Sequence, residues 1–168
     1  MGKKKLDIYV FADWEGLSAP MFVGTLSAHF ARGRKSFSFE YDKAWLHSGQ
    51  HYLLDPDIQL FSGHQFPNNK DNFGVFLDSM PDTWGCTLMQ RRAANLATNK
   101  GERAAALTDI DYLLGVFDES RIGALRFKTD INGPFLDNSD TNPTPPWSSI
   151  RDLQYAARQF EEADGSTI

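Results

Sequence analysis

Lys35–Tyr41 reads KSFSFEY, and this alternation is the tightest constraint in the chain. An extended backbone turns successive side chains to opposite faces. Phe37, Phe39 and Tyr41 therefore share one side, with Ser36, Ser38 and Glu40 on the other. The segment is predicted to be a strand with one face in a core. LDIYVFA (Leu6–Ala12) is β-rich and bounded by charge, and MFVGTLSAHF (Met21–Phe30) alternates weakly. The link AHFARGRK carries Gly33 and three basic residues, as a hairpin connection would. Together the three runs predict an antiparallel meander with one buried face.

Helical spacing dominates the rest. YDKAWLHSG reads as one helical turn stopped by Gly49. DPDIQLFSG reads as a short extended piece, because a residue before proline is pushed out of the helical region. From Pro81 to about Ala97, Met89, Ala93 and Leu96 fall on one helical stripe and Trp84 reaches Leu88 one turn on. Ser79 or Met80 would cap this helix, with Pro81 in its first turn, and Asn99-Lys100-Gly101 would end it. Thr108-Asp-Ile-Asp111 has the form of a capping box opening a short helix through Leu114. GALRFKTD (Gly123–Asp130) reads as a further strand.

Residues 132–147, NGPFLDNSDTNPTPPW, have no periodicity and read as a linker. In the following SIRDLQYAARQFEEA, Ile150, Leu153, Ala157 and Phe160 recur at helical spacing behind a capping signal at Ser149-x-x-Asp152. The expected fold class is α+β: a small antiparallel β-meander packed with a few helices. Residues 1–131 would form the domain, 132–147 the linker, and 148–168 a C-terminal helix and tail.

A chain of 168 residues with 41% hydrophobic and 23% charged side chains can bury roughly 68–70% of its unfolded surface. It needs no staple to hold a core. Its net charge of −5 supplies no global basic field for nucleic acid or anionic lipid. The single Cys86 excludes an intrachain disulfide and a cysteine zinc cage. The opening MGKKKLDIYVFADWEG has a charged start, but its apolar run Ile8–Ala12 is flanked by Asp7 and Asp13, so no signal peptide is read. Leu6 occupies the place where a myristoylation pattern needs Ser or Thr. No run approaches ~18 apolar residues. A cytoplasmic, membrane-free protein is expected.

Few residues suggest chemistry. His47 and His51 stand four apart, as in helical zinc pairs, but Gly49 breaks the helix and no Glu base lies between. Asp137-Asn-Ser-Asp140-Thr-Asn142 loosely resembles a calcium loop without its glycine. Asp118-Glu119-Ser120-Arg121 could pair an acid with a base, or form a polar turn. FLDSMPDTWG (Phe76–Gly85) brings Asp78 and Asp82 close in sequence, yet Asp82 suits a helix start and no histidine adjoins it. The basic residues Arg91, Arg92, Lys100 and Arg103 suit either a nucleic-acid patch or a helix C-terminus; no aromatic is interleaved, so direct nucleic-acid contact is not expected. No catalytic, metal or cofactor residues are assigned. Trp84, a large aromatic in a first helical turn, is with Arg91 and Arg92 the candidate for partner binding.

FLDSMPDTWGCTLMQRR, followed by DYLLGVFDESRIGALRF and preceded by SFEYDKAWLHSGQHYLLDPDIQLFSG, resembles the N-terminal subdomain of HipA-like serine/threonine kinases, the toxin components of bacterial toxin–antitoxin modules. The similarity spans roughly residues 6–128. Met80 departs from the family's usual Leu, and Cys86-Thr87 stand where a basic residue is common. In full-length members a Gly-rich nucleotide-binding segment and a catalytic core follow a helix like 149–163. Residue 168 comes before any counterpart, so no catalytic or nucleotide-binding residue is carried over. The resemblance implies a regulatory or interaction module whose partners are a HipA-like kinase core, in cis or in trans, a DNA-binding antitoxin and a second copy of itself. The rival readings are a DNA-associated dimerisation module using Arg91, Arg92 and Lys100, and a small enzyme using Asp78, Asp82 or the Asp118/Glu119 pair.

Overall fold

The computed structural model describes residues 4–31, 34–49, 52–118, 121 and 123–136. Its frame is a four-stranded antiparallel sheet of β1 (Lys4–Ala12), β2 (Met21–Ala31), β3 (Arg34–Tyr41) and β4 (Leu125–Lys128), in spatial order β3-β2-β1-β4. The first three strands are the expected meander. Register sets Ile8 opposite Leu26 and Leu26 opposite Phe39, which stacks their side chains on one face. β4 closes the sheet from much later in the chain, with Phe127 opposite Val10. Of the eight residues read as a strand there, four form one.

The alternation in KSFSFEY is realised: Phe37, Phe39 and Tyr41 are each at most 2% exposed. Three short helices cover that face. α1 (Lys43–His47), α2 (Gly74–Asp78) and α4 (Asp109–Leu114) contribute the buried Trp45, Phe76, and Ile110 with Leu113. Phe39 meets Phe76 at 5.6 Å and Phe76 meets Phe127 at 6.2 Å between ring centroids, so aromatic contact runs from β3 through α2 to β4.

On the opposite face the polar residues pair with one another. Ser27 donates to Asp7 at 2.6 Å, and His29 and Ser38 share a hydrogen bond at 3.0 Å. Burial alone would raise the Asp7 carboxyl, but the Ser27 and Lys5 hydrogen bonds and the Lys5 charge outweigh it and hold Asp7 below its ordinary value.

α1 starts where Asp42 accepts from the Ala44 and Trp45 amides, and Gly49 follows it at a left-handed φ of 68°. Two local readings need correction. DPDIQLFSG is not extended: Asp55 and Ile58 pair across a tight turn. Asp55, 4% exposed, accepts from the Asp57 amide at 2.9 Å and from the Val75 amide at 2.8 Å, fastening that turn to the start of α2. α2 itself was not read from the sequence. Further on, the Leu136 amide donates to the Phe127 carbonyl, and Phe135 sits edge-on to Phe11 at 5.3 Å. The first residues of the segment read as a linker therefore return to the sheet. Among the described residues no helix is long and apolar enough to cross a membrane.

Burial, followed by the nearby Asp55 charge, pushes the Tyr41 phenol up to about 12, with the Leu54 backbone amide offsetting part of the rise. An unfolded tyrosine ionises near 10. The unfolded chain therefore loses this proton first, and stability is full below about pH 10 and falls as pH rises toward 12. Urea titrations at pH 9 and pH 11 should show that loss in the native chain and a smaller one in Tyr41→Phe. Equal losses in both would remove Tyr41 as the cause.

Candidate interaction surface

α3 (Thr83–Asn99) is the longest helix described, at 17 residues, yet Gly85 is its only buried residue. Most helical stability in proteins comes from packing an apolar face rather than from helix propensity. α3 is held chiefly at its start. Asp82, not Ser79 or Met80, is the N-cap: its carboxylate accepts from the Gly85 amide at 2.7 Å, so Pro81 lies just before the helix rather than in its first turn. A Cβ on Gly85 would come within 2.7 Å of the Pro81 side chain, which is why glycine stands in this first turn. Asp82→Ala should cost about 1 kcal/mol, measurable as a lower urea midpoint, whereas a loss below 0.3 kcal/mol would deny the cap.

Successive residues rotate by about 100° around a helix, which gives α3 two distinct faces. Met89, Ala93 and Leu96 look toward α4. With Leu107 and Leu114 they line an open groove of about 400 Å³ that also takes in Arg92, Asp111 and Gly115. The contact is close because Gly115 lacks a Cβ; one placed there would lie 2.2 Å from the Met89 methyl. Among the described residues nothing fills the groove, and Leu96 is 53% exposed.

Trp84, Leu88 and Arg91 lie on the opposite face. Trp84 is 54% exposed, Leu88 is partly exposed, and Arg91 is exposed. Of the three residues singled out for partner binding, Trp84 and Arg91 thus share a surface, whereas Arg92 belongs to the groove side. That division also separates the adjacent arginines that a DNA-contacting reading would use together. Gln90 donates to the Tyr112 hydroxyl at 2.7 Å and ties α3 to α4.

The candidate carboxylates are scattered. Asp78 ends α2 and is exposed, Asp82 caps α3, and Asp118 follows α4. The turn read at 118–121 is present, with the Arg121 amide donating to the Asp118 carbonyl at 3.3 Å, but its two described residues are buried in a charged clasp. Asp118 accepts from Nε and Nη2 of Arg126, whose Nη1 reaches Asp13 at 3.0 Å. Arg121, 8% exposed, donates to the carbonyls of Ser79, Leu113 and Val116 at 2.8–3.1 Å and lies 4.7 Å from the Phe127 ring centre. Those three carbonyls sit at the ends of α2 and α4, where a helix leaves acceptors unpaired. Glu119 lies outside the described residues.

Burial, and secondarily the Asp82 charge, pushes the Cys86 thiol above its ordinary value, opposite to what an activated nucleophile requires. Among the described residues no three His, Cys, Asp or Glu side chains are grouped to hold a metal. His51 and the 137–142 segment lie outside them. Compared with protein-family models, curated proteins and solved structures, the chain finds no match.

Proposed function

We propose that this chain is a regulatory interaction module of a HipA-like serine/threonine kinase system. It docks through the Trp84–Leu88–Arg91 face of α3 onto a kinase core and restrains how that core closes over ATP. The observation that carries this reading is an exposed tryptophan and, two turns on along the same face, an exposed arginine, held on a capped helix. Trp and Arg are the side chains most enriched among residues that dominate binding energy. Two candidates of the rival enzymatic reading are already engaged, Asp82 in the helix cap and Asp118 with Arg126. A DNA-contacting reading is disfavoured by the separation of Arg91 from Arg92 around the helix.

The test is to add the purified chain to a HipA-like kinase core and follow ATP consumption. The chain alone should turn over no ATP, and turnover by the core should fall in proportion to complex formed. Turnover by the chain itself, or a core that neither binds nor slows, would overturn the proposal.

A further inference from the structure

The α4-facing side of α3 presents a second apolar surface, and its spacing is repeated elsewhere in the chain. Met89, Ala93 and Leu96 are separated by four and then three positions. Leu153, Ala157 and Phe160, outside the described residues, are separated by the same four and three. We propose that residues 149–163 are the occupant of the groove between α3 and α4, running parallel to α3 with Ala157 opposite Ala93.

Charge supports both the pairing and its direction. α3 contains Arg91 and Arg92 and no acidic residue, and Lys100 and Arg103, with Glu102 between them, follow it. Three of the four acids from Asp152 to Asp164 lie at the far end of the C-terminal segment, Glu161, Glu162 and Asp164, beyond Arg151 and Arg158. A parallel arrangement sets that end beside the basic end of α3. A second copy of α3 is a poorer occupant, because antiparallel pairing about its midpoint would bring Arg91 and Arg92 of two chains together. Two facing alanines leave room for close approach of the helices.

Reach is sufficient. The described chain ends at Leu136, hydrogen-bonded to β4, and 12 residues separate it from Ser149, where the proposed occupant begins. At about 3.3 Å per residue these can span roughly 40 Å. A domain of this size has a radius of gyration of only about 14 Å. The groove side is distinct from the Trp84 face, so the two proposals stand or fall separately.

The experiment uses the full chain with Cys86→Ser, Ala93→Cys and Ala157→Cys. Mild oxidation should give an intrachain disulfide, read by mass after proteolysis. The control pair Asn95→Cys with Ala157→Cys, placed on the far face of α3, should form little. Equal bridging in both pairs, bridging in neither, or an interchain bridge instead would overturn the proposal. A second measurement avoids cysteine altogether: Leu153→Asp with Phe160→Asp should speed amide exchange across residues 89–97 at least tenfold. Unchanged exchange there would also overturn it.

Discussion

Arg121→Ala is expected to lower folding stability by about 3–5 kcal/mol. The side chain is 8% exposed, and its guanidinium holds the Ser79, Leu113 and Val116 carbonyls while facing Phe127. Removing it strands buried acceptors at the ends of α2 and α4 and opens a space against β4. Each stranded polar group costs about 1–3 kcal/mol, and the costs do not simply add. A domain of this size is stable by only about 5–15 kcal/mol, so the variant should lose a large part of its margin. Arg121→Lys should recover only part of the loss, because a single ammonium cannot present the planar fork that meets all three carbonyls. Urea denaturation followed by tryptophan fluorescence measures this directly. A loss below 1 kcal/mol would show that the clasp does not hold the helices to the sheet.

Trp84→Ala is expected to act in the opposite manner, leaving stability within about 0.5 kcal/mol while weakening kinase-core binding at least 30-fold. Trp84 is 54% exposed, so truncation removes little buried contact from the chain itself. Central tryptophans at interfaces commonly carry 2 kcal/mol or more. Arg91→Glu on the same face should mainly slow association and change its salt dependence, as rim charges do. If Trp84→Ala unfolded the chain, the side chain would be a core residue and the surface would have been misassigned.

The meander was legible because alternation over β3 leaves a single way to bury Phe37, Phe39 and Tyr41. The capping box at Thr108 was legible for a similar reason: its two partners are three residues apart, and Thr108 and Asp111 do make the reciprocal bonds. α2 escaped notice. Five residues are too few to show a period, and the amide of Val75 is held by Asp55, twenty positions earlier. Arg121 misled more seriously. A charged residue in a polar run reads as surface, and its acceptors come from three separate places in the chain. The division of α3 into two faces was already present in the residue numbers, since Arg91 and Arg92 are 100° apart around a helix. What local sequence did not reveal was that, among the described residues, the fold would leave the Trp84 face of α3 uncovered and its other face only partly covered by α4.

Calorimetric titration of a HipA-like kinase core with this chain and with Trp84→Ala tests the docking proposal most directly. Docking through α3 requires saturable association by the native chain and a dissociation constant at least 30-fold larger for the variant. Equal affinities, or no association by the native chain, would contradict it.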